Sequence, residues 1–323
     1  MRRVAASEAA IKSETPVYVV TFSPPRLIEF RDLGAFSARV RIWLHQREGE
    51  NTYLIGKLRD QDPKVDSSVR LFLVEQENAI VAAGIRASNG CLYLTWASPE
   101  AVKVVIEHIT SKHWAVAAVC APVHIASDIA SRLAERDKSQ QTLIRTERVF
   151  QLSQVSHPLP EEGRLEVAHA SDKPFIREWF KAFVEESEFY GDVARDPRAV
   201  DWLIDPRRMY LWKSPGPVSM AAWVAPTMYS GAINYVYVPD EHRGRGFAKA
   251  VTAALAQQML ASGLRYCLIL ADAGDARINR LYQSIGAHAV GDLAYFTLEV
   301  PSKSPSKIAR SGDSHCSAGS RAS

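Results

Sequence analysis

The residues from Val236 to Ala248, Val-Tyr-Val-Pro-Asp-Glu-His-Arg-Gly-Arg-Gly-Phe-Ala, join a β-branched run to a glycine-bearing turn and then to the start of a helical pattern. Gly244 and Gly246 allow backbone torsions that a Cβ disfavours and let the chain approach a ligand closely. The amides in the first turn of the following helix lack intrahelical acceptors, and the helix dipole favours negative charge at that end. A phosphate or pyrophosphate is the natural occupant of such a turn.

The elements around the turn are well specified. Phe247, Val251, Leu255 and Met259 recur four apart, which places them on one face of a helix, and Gly263 stands where a C-terminal cap belongs. The run Tyr266-Cys267-Leu268-Ile269-Leu270-Ala271 has the length and apolar character of a strand buried on both faces of a sheet. Strand, loop, helix and strand form a crossover unit, which predicts a ligand at the carboxyl ends of the strands.

The spacing discriminates among phosphate-binding loops. A dinucleotide site requires Gly-x-Gly-x-x-Gly and a P-loop requires Gly-x-x-x-x-Gly-Lys-Ser/Thr, and neither occurs here. Arg243-x-x-Gly246-x-Ala248, following a Val-x-Val-Pro strand end, resembles the Arg/Gln-x-x-Gly-x-Gly/Ala signature of the GNAT superfamily of N-acetyltransferases. A second segment, from Asp275 through Asn279, Leu281 and Tyr282 to Gly286 and Ala287, resembles that superfamily's later helix, Asn-x-x-(Ala/Ser)-x-x-x-Tyr-x-x-x-Gly-Phe. Three positions depart from the pattern: Asp275 stands where the family has Asn, Ile278 where it has a small residue, and Ala287 where it has Phe.

The resemblance implies acetyl-CoA as co-substrate and an amine that attacks its thioester directly. The backbone of Val236, Tyr237 and Val238 would then pair with the pantetheine arm, and Arg243, Gly244, Arg245, Gly246, Phe247 and Ala248 would hold the pyrophosphate. Asp275 and Asn279 would contact the cofactor, and Tyr282 would protonate the departing thiolate, a task suited to a phenol with an ordinary pKa of about 10. The strand from Ala232 to Tyr237 carries no carboxylate. The resemblance implies that the acceptor side is built partly from the region before Phe189-Tyr190-Gly191, so Glu186 and Glu188 there, with Asn234 on the strand, are the candidate acceptor-side residues. Each residue has a plainer reading beside it: Tyr282 as a core tyrosine beside Leu281 and Ile285, and the glutamates as a solvated helix face. The nine histidines show no ligand spacing, so no metal site is expected.

Composition fits an ordinary enzyme. The chain has 323 residues, 47% of them hydrophobic, a length that favours two domains. Lys plus Arg number 39 against 36 Asp plus Glu, and the excess is carried by the tail from Ser302 to Ser323, so net charge gives no nucleic-acid footprint. Cys91, Cys120, Cys267 and Cys316 show no paired spacing, which reads as free thiols in a reducing compartment. Met1-Arg2-Arg3 is not followed by an apolar h-region, and no run has the length of a membrane span, so a cytoplasmic location is expected.

The organisation divides into a flexible start at 1–16, a first domain at 17–155, a polar proline-bearing linker at 156–163, a second domain at 164–300 and a disordered tail at 301–323. In the second domain the expected order is a strand at 164–168, a helix at 172–188 with Phe175, Ile176, Trp179 and Phe183 inward, a short helix at 198–203, and strands at 209–212, 218–224 and 231–238 leading to the loop. Two closing strands are expected at 288–290 and 293–300. The first domain repeats this plan with strands at 69–75, 79–85, 91–96 and 115–120, and helices after Ser98 and at 126–136, preceded by helices between Leu27 and Leu58. Its equivalent of the loop, Thr95-Trp96-Ala97-Ser98-Pro99-Glu100, has no glycine and carries a carboxylate.

The expectation is therefore an α/β mixed-sheet fold of the acyl-CoA N-acyltransferase type in two tandem copies, the second complete and the first degenerate. The expected activity is acetyl transfer to a primary amine on a small molecule or peptide. The alternatives are a CoA-binding regulatory module without turnover and a transferase using another acyl-CoA or an aminoacyl donor.

Overall fold

In both halves of the chain the same elements recur in the same order. The computed structural model describes residues 23–60, 67–156, 162–187 and 198–299. The first half runs β1 (Arg26–Phe30), α1 (Leu33–His45), α2 (Thr52–Asp60), β2 (Arg70–Gln76), β3 (Ala79–Arg86), β4 (Cys91–Leu94), α3 (Pro99–Ser111), β5 (Ala118–Pro122), α4 (Val123–Asp137) and β6 (Gln140–Leu152). The second runs β7 (Arg164–Val167), α5 (Lys173–Ser187), α6 (Asp201–Ile204), β8 (Met209–Lys213), β9 (Pro217–Val224), β10 (Ser230–Tyr237), α7 (Phe247–Ala261), β11 (Tyr266–Asp272), α8 (Ala276–Ser284) and β12 (His288–Glu299). In each half the first four strands pair antiparallel in sequence order, and the fourth pairs parallel with the fifth. This is the expected mixed α/β plan, present twice.

The sixth strands are exchanged. All twelve lie in one sheet, in the order β1-β2-β3-β4-β5-β12-β6-β11-β10-β9-β8-β7. β12 pairs with β5 of the first half, β6 pairs with β11 of the second, and the two run antiparallel along each other from Gln140↔Glu299 to Gln151↔His288. Burial follows the exchange. Ala294, Phe296 and Leu298 of β12 lie in the core with α3 and α4, while Phe150 and Leu152 of β6 lie in the core with α7 and α8. The other sheet face is covered by α1 and α2 in the first half and by α5 and α6 in the second. The 156–163 stretch connects β6 to β7, and its residues 157–161 fall outside the described residues, as do 1–16, the tail at 301–323 and Cys316.

The helices obey their local signals. Ser98 caps α3 by accepting from the Ala101 amide, with Pro99 at the first helical position. Phe247, Val251, Leu255 and Met259 are all buried, and Gly263 takes a positive φ of 103° just past the end of α7. In α5 the deepest stripe is Ile176, Phe180 and Val184, with Phe175, Trp179 and Phe183 partly buried beside it.

Two expectations are corrected. Residues 26–30, read as the beginning of a helical region, form the edge strand β1. Leu27, Ile28 and Phe30 suit either structure, and the ladder to β2 decides, reinforced by Arg26 and Arg39 both bonding Glu75. Residues 140–152 form the long strand β6 although Arg145, Glu147 and Arg148 interrupt its apolar pattern. Each has a partner: Arg148 donates two hydrogen bonds to Asp292 at 2.9 and 2.8 Å, and the Arg145 Nε lies 3.4 Å from Glu147. The two closing strands are one strand, β12, with a register shift between Ala289 and Gly291.

Cys91, Cys120 and Cys267 are buried free thiols. Among the described residues no helix is long and apolar enough to cross a membrane, and no group of His, Cys, Asp and Glu could hold a metal ion.

Candidate functional site

The site begins where β10 leaves β11. The two strands pair in parallel from Ser230↔Tyr266 to Ile233↔Ile269, where the ladder ends. At the same point the ladder to β9 shifts register between Asn234 and Tyr237, and Tyr235 adopts a left-handed φ of 54°. A non-glycine residue in this region stores about 1 kcal/mol or more of strain, so its surroundings must hold it there. They do. The Asn234 side-chain oxygen accepts from the Tyr235 amide at 2.8 Å, and the Tyr235 ring is packed by Phe180 and Phe183 at centroid separations of 5.1 and 5.8 Å. Burial pushes the Tyr235 phenol up to about 12. The bulge sends Val236 and Val238 to the α7 face and Tyr235 and Tyr237 to the α5 face.

The glycine turn follows directly. Gly244 and Gly246 have φ of 75° and 82°, and a Cβ at either would meet nothing within 4 Å. Their requirement is conformational, and the mouth of the turn is open. Gly246 is the N-cap of α7 and brings no side-chain acceptor, so the first-turn amides have no side-chain cap. The Arg245 guanidinium lies 4.8 Å from the Phe247 ring centroid, beside that helix start. Such a turn can hold a phosphate with backbone donors, a dipole and a nearby cation.

The Arg243 side chain is already committed. It donates to both oxygens of Glu186 at 2.7 Å and to the Val238 carbonyl at 3.0 Å, and lies 2.7 Å from Asp240. The Glu186 hydrogen bond raises its pKa further. Arg243 therefore braces the loop against α5 through its side chain, and its backbone is what it offers a ligand. Glu186 is correspondingly engaged, and Tyr237 also donates to it, at 3.4 Å. Glu188, Phe189, Tyr190 and Gly191 fall outside the described residues.

Tyr282 on α8 shares one core with Phe247 of the cradle and packs on Phe150 at 5.8 Å. Burial, then the charge of Asp275, pushes its phenol up to about 12, so it keeps its proton throughout the neutral range. Asp275 and Asn279 shape the loop before α8. Asp275 caps the helix, accepting from the amides of Arg277 and Ile278 at 2.8 and 3.0 Å. The Asn279 amide donates to the carbonyls of Asp272, Ala273 and Asp275, while its side-chain oxygen is buried without a partner among the described residues. Both positions expected to touch a cofactor thus have structural partners of their own.

Sequence reasoning missed the part supplied by the first half. Between α1 and α2 the loop carrying Glu48 docks on the second half's sheet. Glu48 is fully buried and bonds His45, and its other oxygen accepts from Ser230 at 2.6 Å, Thr227 at 2.7 Å and Tyr266 at 3.2 Å. Burial, then the Glu48 charge, pushes the Tyr266 phenol up. A Cβ on the neighbouring Gly49 would lie 2.8 Å from a Val290 methyl, so any side chain here would push Val290 aside or loosen the approach. Beside the loop a cleft of about 720 Å³, counting space open to solvent, has Tyr53, Lys57 and Arg59 of α2 on one wall and Asn234, Leu268 and Leu270 of the second half on the other. A Glu-Gly-Glu turn signals a tight loop, but nothing in it says which surface the loop meets.

The equivalent place in the first half is closed. Thr95 fills the step after β4 by accepting from the Ala83 amide at 3.0 Å, Ser98 occupies the Ala101 amide at the start of α3, and Glu100 lies in its first turn. No anion cradle remains there.

Comparisons with known proteins agree with this geometry. Residues 211–295, from β8 into β12, match the family described as FR47-like protein. Among curated proteins none matches the chain. Among solved structures, a GNAT-family acetyltransferase from Colwellia psychrerythraea is 12% identical, with 85% of this chain and 99% of that one covered at a TM-score of 0.50. A Drosophila protein is 10% identical with the same shares covered and a TM-score of 0.55. The chain has the GNAT acyltransferase fold, with an FR47-like segment in its second half.

Proposed function

We propose that the second half is an acetyl-CoA-dependent N-acetyltransferase that passes the acetyl group to a primary amine by direct attack on the thioester. The observation that carries the reading is a conjunction. A strand parts from its parallel neighbour at a strained, well-supported bulge, and an uncapped helix start with two left-handed glycines follows at once. The first feature exposes backbone donors and acceptors of 236–238 to an extended ligand, and the second suits a pyrophosphate. Together they fit a long thioester with a pyrophosphate partway along it better than a free phosphate.

The chain's own groups divide the work. Val236, Tyr237 and Val238 offer backbone pairing to the pantetheine arm and a donor toward the developing oxyanion. The turn from Arg243 to Ala248 binds the pyrophosphate, its shape fixed by the Arg243–Glu186 pair. As the carbon–nitrogen bond forms and the carbon–sulfur bond breaks, Tyr282 donates its proton to the leaving sulfur, the acylated nitrogen sheds its surplus proton to solvent, and the phenolate regains a proton from solvent before the next turnover. The amine enters from the opposite sheet face, where Asn234 borders the cleft.

A CoA-binding module without turnover is the second reading, favoured by the deep burial of Tyr282 among core residues. Thiol release from acetyl-CoA with a panel of primary amines, in wild type and Tyr282→Phe, separates the two. The enzyme reading predicts amine-dependent release that the substitution cuts by about a hundredfold. Absence of release with every amine, from a protein that still binds acetyl-CoA, favours the module.

A further inference from the structure

Where β10 and β11 part, the space beyond the tip of an extended ligand lying along 236–238 is closed on three sides. Straight ahead stands the ladder itself, since the strands are paired at Ile233↔Ile269. Toward α7 these two isoleucines share a core with Phe150 and Tyr282, and all four are more than nine-tenths buried. Toward α5 the Tyr235 ring fills the corner. It is 7% exposed, and Phe180 and Phe183 hold it at centroid separations of 5.1 and 5.8 Å. The left-handed φ of 54° and the Asn234 bond to its amide fix the backbone from which the ring projects. The side left open is the cleft at Asn234, over Leu268 and Leu270, which the amine needs.

Resting on the transferase reading, we propose that the donor is restricted to a short acyl group, acetyl or propionyl, and that the wedge of Tyr235, Phe180 and Phe183 sets the limit. The acyl group projects past the sulfur into the closed corner. An acetyl methyl needs little room there, whereas a longer chain must displace packed aromatic rings or turn into the cleft and meet the incoming amine. Close packing leaves no gap to absorb added methylenes, and forcing them in is unfavourable. The strained torsion at Tyr235 then has a second use: it turns a large ring to the α5 face level with the acyl carbons.

The test is a chain-length series. Acetyl-, propionyl-, butanoyl- and hexanoyl-CoA are compared in wild type, Phe183→Ala and Tyr235→Gly. Phe183 is the partly buried member of the wedge, so its truncation is the milder cut. Tyr235→Gly removes the ring and places a residue suited to the left-handed torsion. With a primary amine as acceptor, wild type should lose at least about tenfold in kcat/KM from propionyl to butanoyl. Each variant should raise the butanoyl-to-acetyl ratio by about tenfold, because two more methylenes find apolar space. A raised ratio is a gain that a misfolded protein cannot show. Wild type that uses all four donors alike, or folded variants that leave the ratio unchanged, would overturn the proposal. Calorimetric titration of the same donors without amine is the second readout. There butanoyl-CoA should bind wild type no tighter than acetyl-CoA, and its affinity relative to acetyl-CoA should rise about tenfold in the folded variants. That pattern without thiol release upholds the wedge and refutes the transferase reading, whereas thiol release without dependence on chain length refutes the wedge and upholds the transferase.

Discussion

The Arg243 guanidinium and the Glu186 carboxylate meet through two hydrogen bonds of 2.7 Å, which clamp the turn before α7 to the end of α5. Both side chains are partly exposed, at 41% and 48%, so the pair contributes below about 1 kcal/mol to stability. Its value lies in fixing the turn. Glu186→Gln should leave the melting temperature within a few degrees of wild type while weakening acetyl-CoA binding several-fold, measured by calorimetry. Unchanged affinity would show that the loop keeps its shape without the clamp.

Tyr282 should act on the chemical step. Tyr282→Phe keeps the ring against Phe150 and removes only the hydroxyl, so kcat should fall about a hundredfold with KM for acetyl-CoA changed less than about twofold. A fall in KM affinity at constant kcat would make the hydroxyl a binding group instead.

The buried phenols and thiol make stability sensitive to alkali. Cys267, ordinarily near 9.0, and Tyr235 and Tyr282, ordinarily near 10.0, are each held up to about 12 by burial. Raised values mean that the folded state favours the protonated forms. Their contribution is complete below about pH 9 and is lost as pH rises toward 12. Melting temperatures at pH 8, 10 and 11 should be flat to about pH 9 and then drop. A melting temperature that stays level to pH 11 would contradict this.

Much of the fold was legible in the sequence, because these features are local. The four-spaced stripe of α7, the cap of α3 and the glycine turn depend on residues within a few positions of one another. The features that escaped are long-range. β6 reads as a poor strand because Arg145, Glu147 and Arg148 lie at its middle, and the partner of Arg148, Asp292, comes from the far end of the chain. The docking of Glu48 on Ser230, Thr227 and Tyr266 joins residues about half the chain apart, and no periodicity encodes it. Asp275 and Asn279 fitted a motif by position, while their side chains serve the loop before α8.

The exchanged strands and the buried Glu48 predict that the halves unfold together. Calorimetry should record one transition. Glu48→Ala, which strands the hydroxyls of Ser230, Thr227 and Tyr266 in the interface, should lower stability by about 3 kcal/mol. Two resolved transitions in the wild type would mean that each half is stable without the strand it borrows.

The central claim is that the turn before α7 binds the pyrophosphate of acetyl-CoA, and its most direct test is calorimetric titration of acetyl-CoA into wild type, Gly246→Ala and Gly246→Glu. Both substitutions impose the same strain at a φ of 82°, and neither side chain meets an obstacle within 4 Å at its Cβ, so they differ in charge and reach at the mouth of the turn. The account predicts binding by wild type, weakened binding by Gly246→Ala and no measurable binding by a folded Gly246→Glu. Equal affinity in all three, or no binding by wild type, would contradict it.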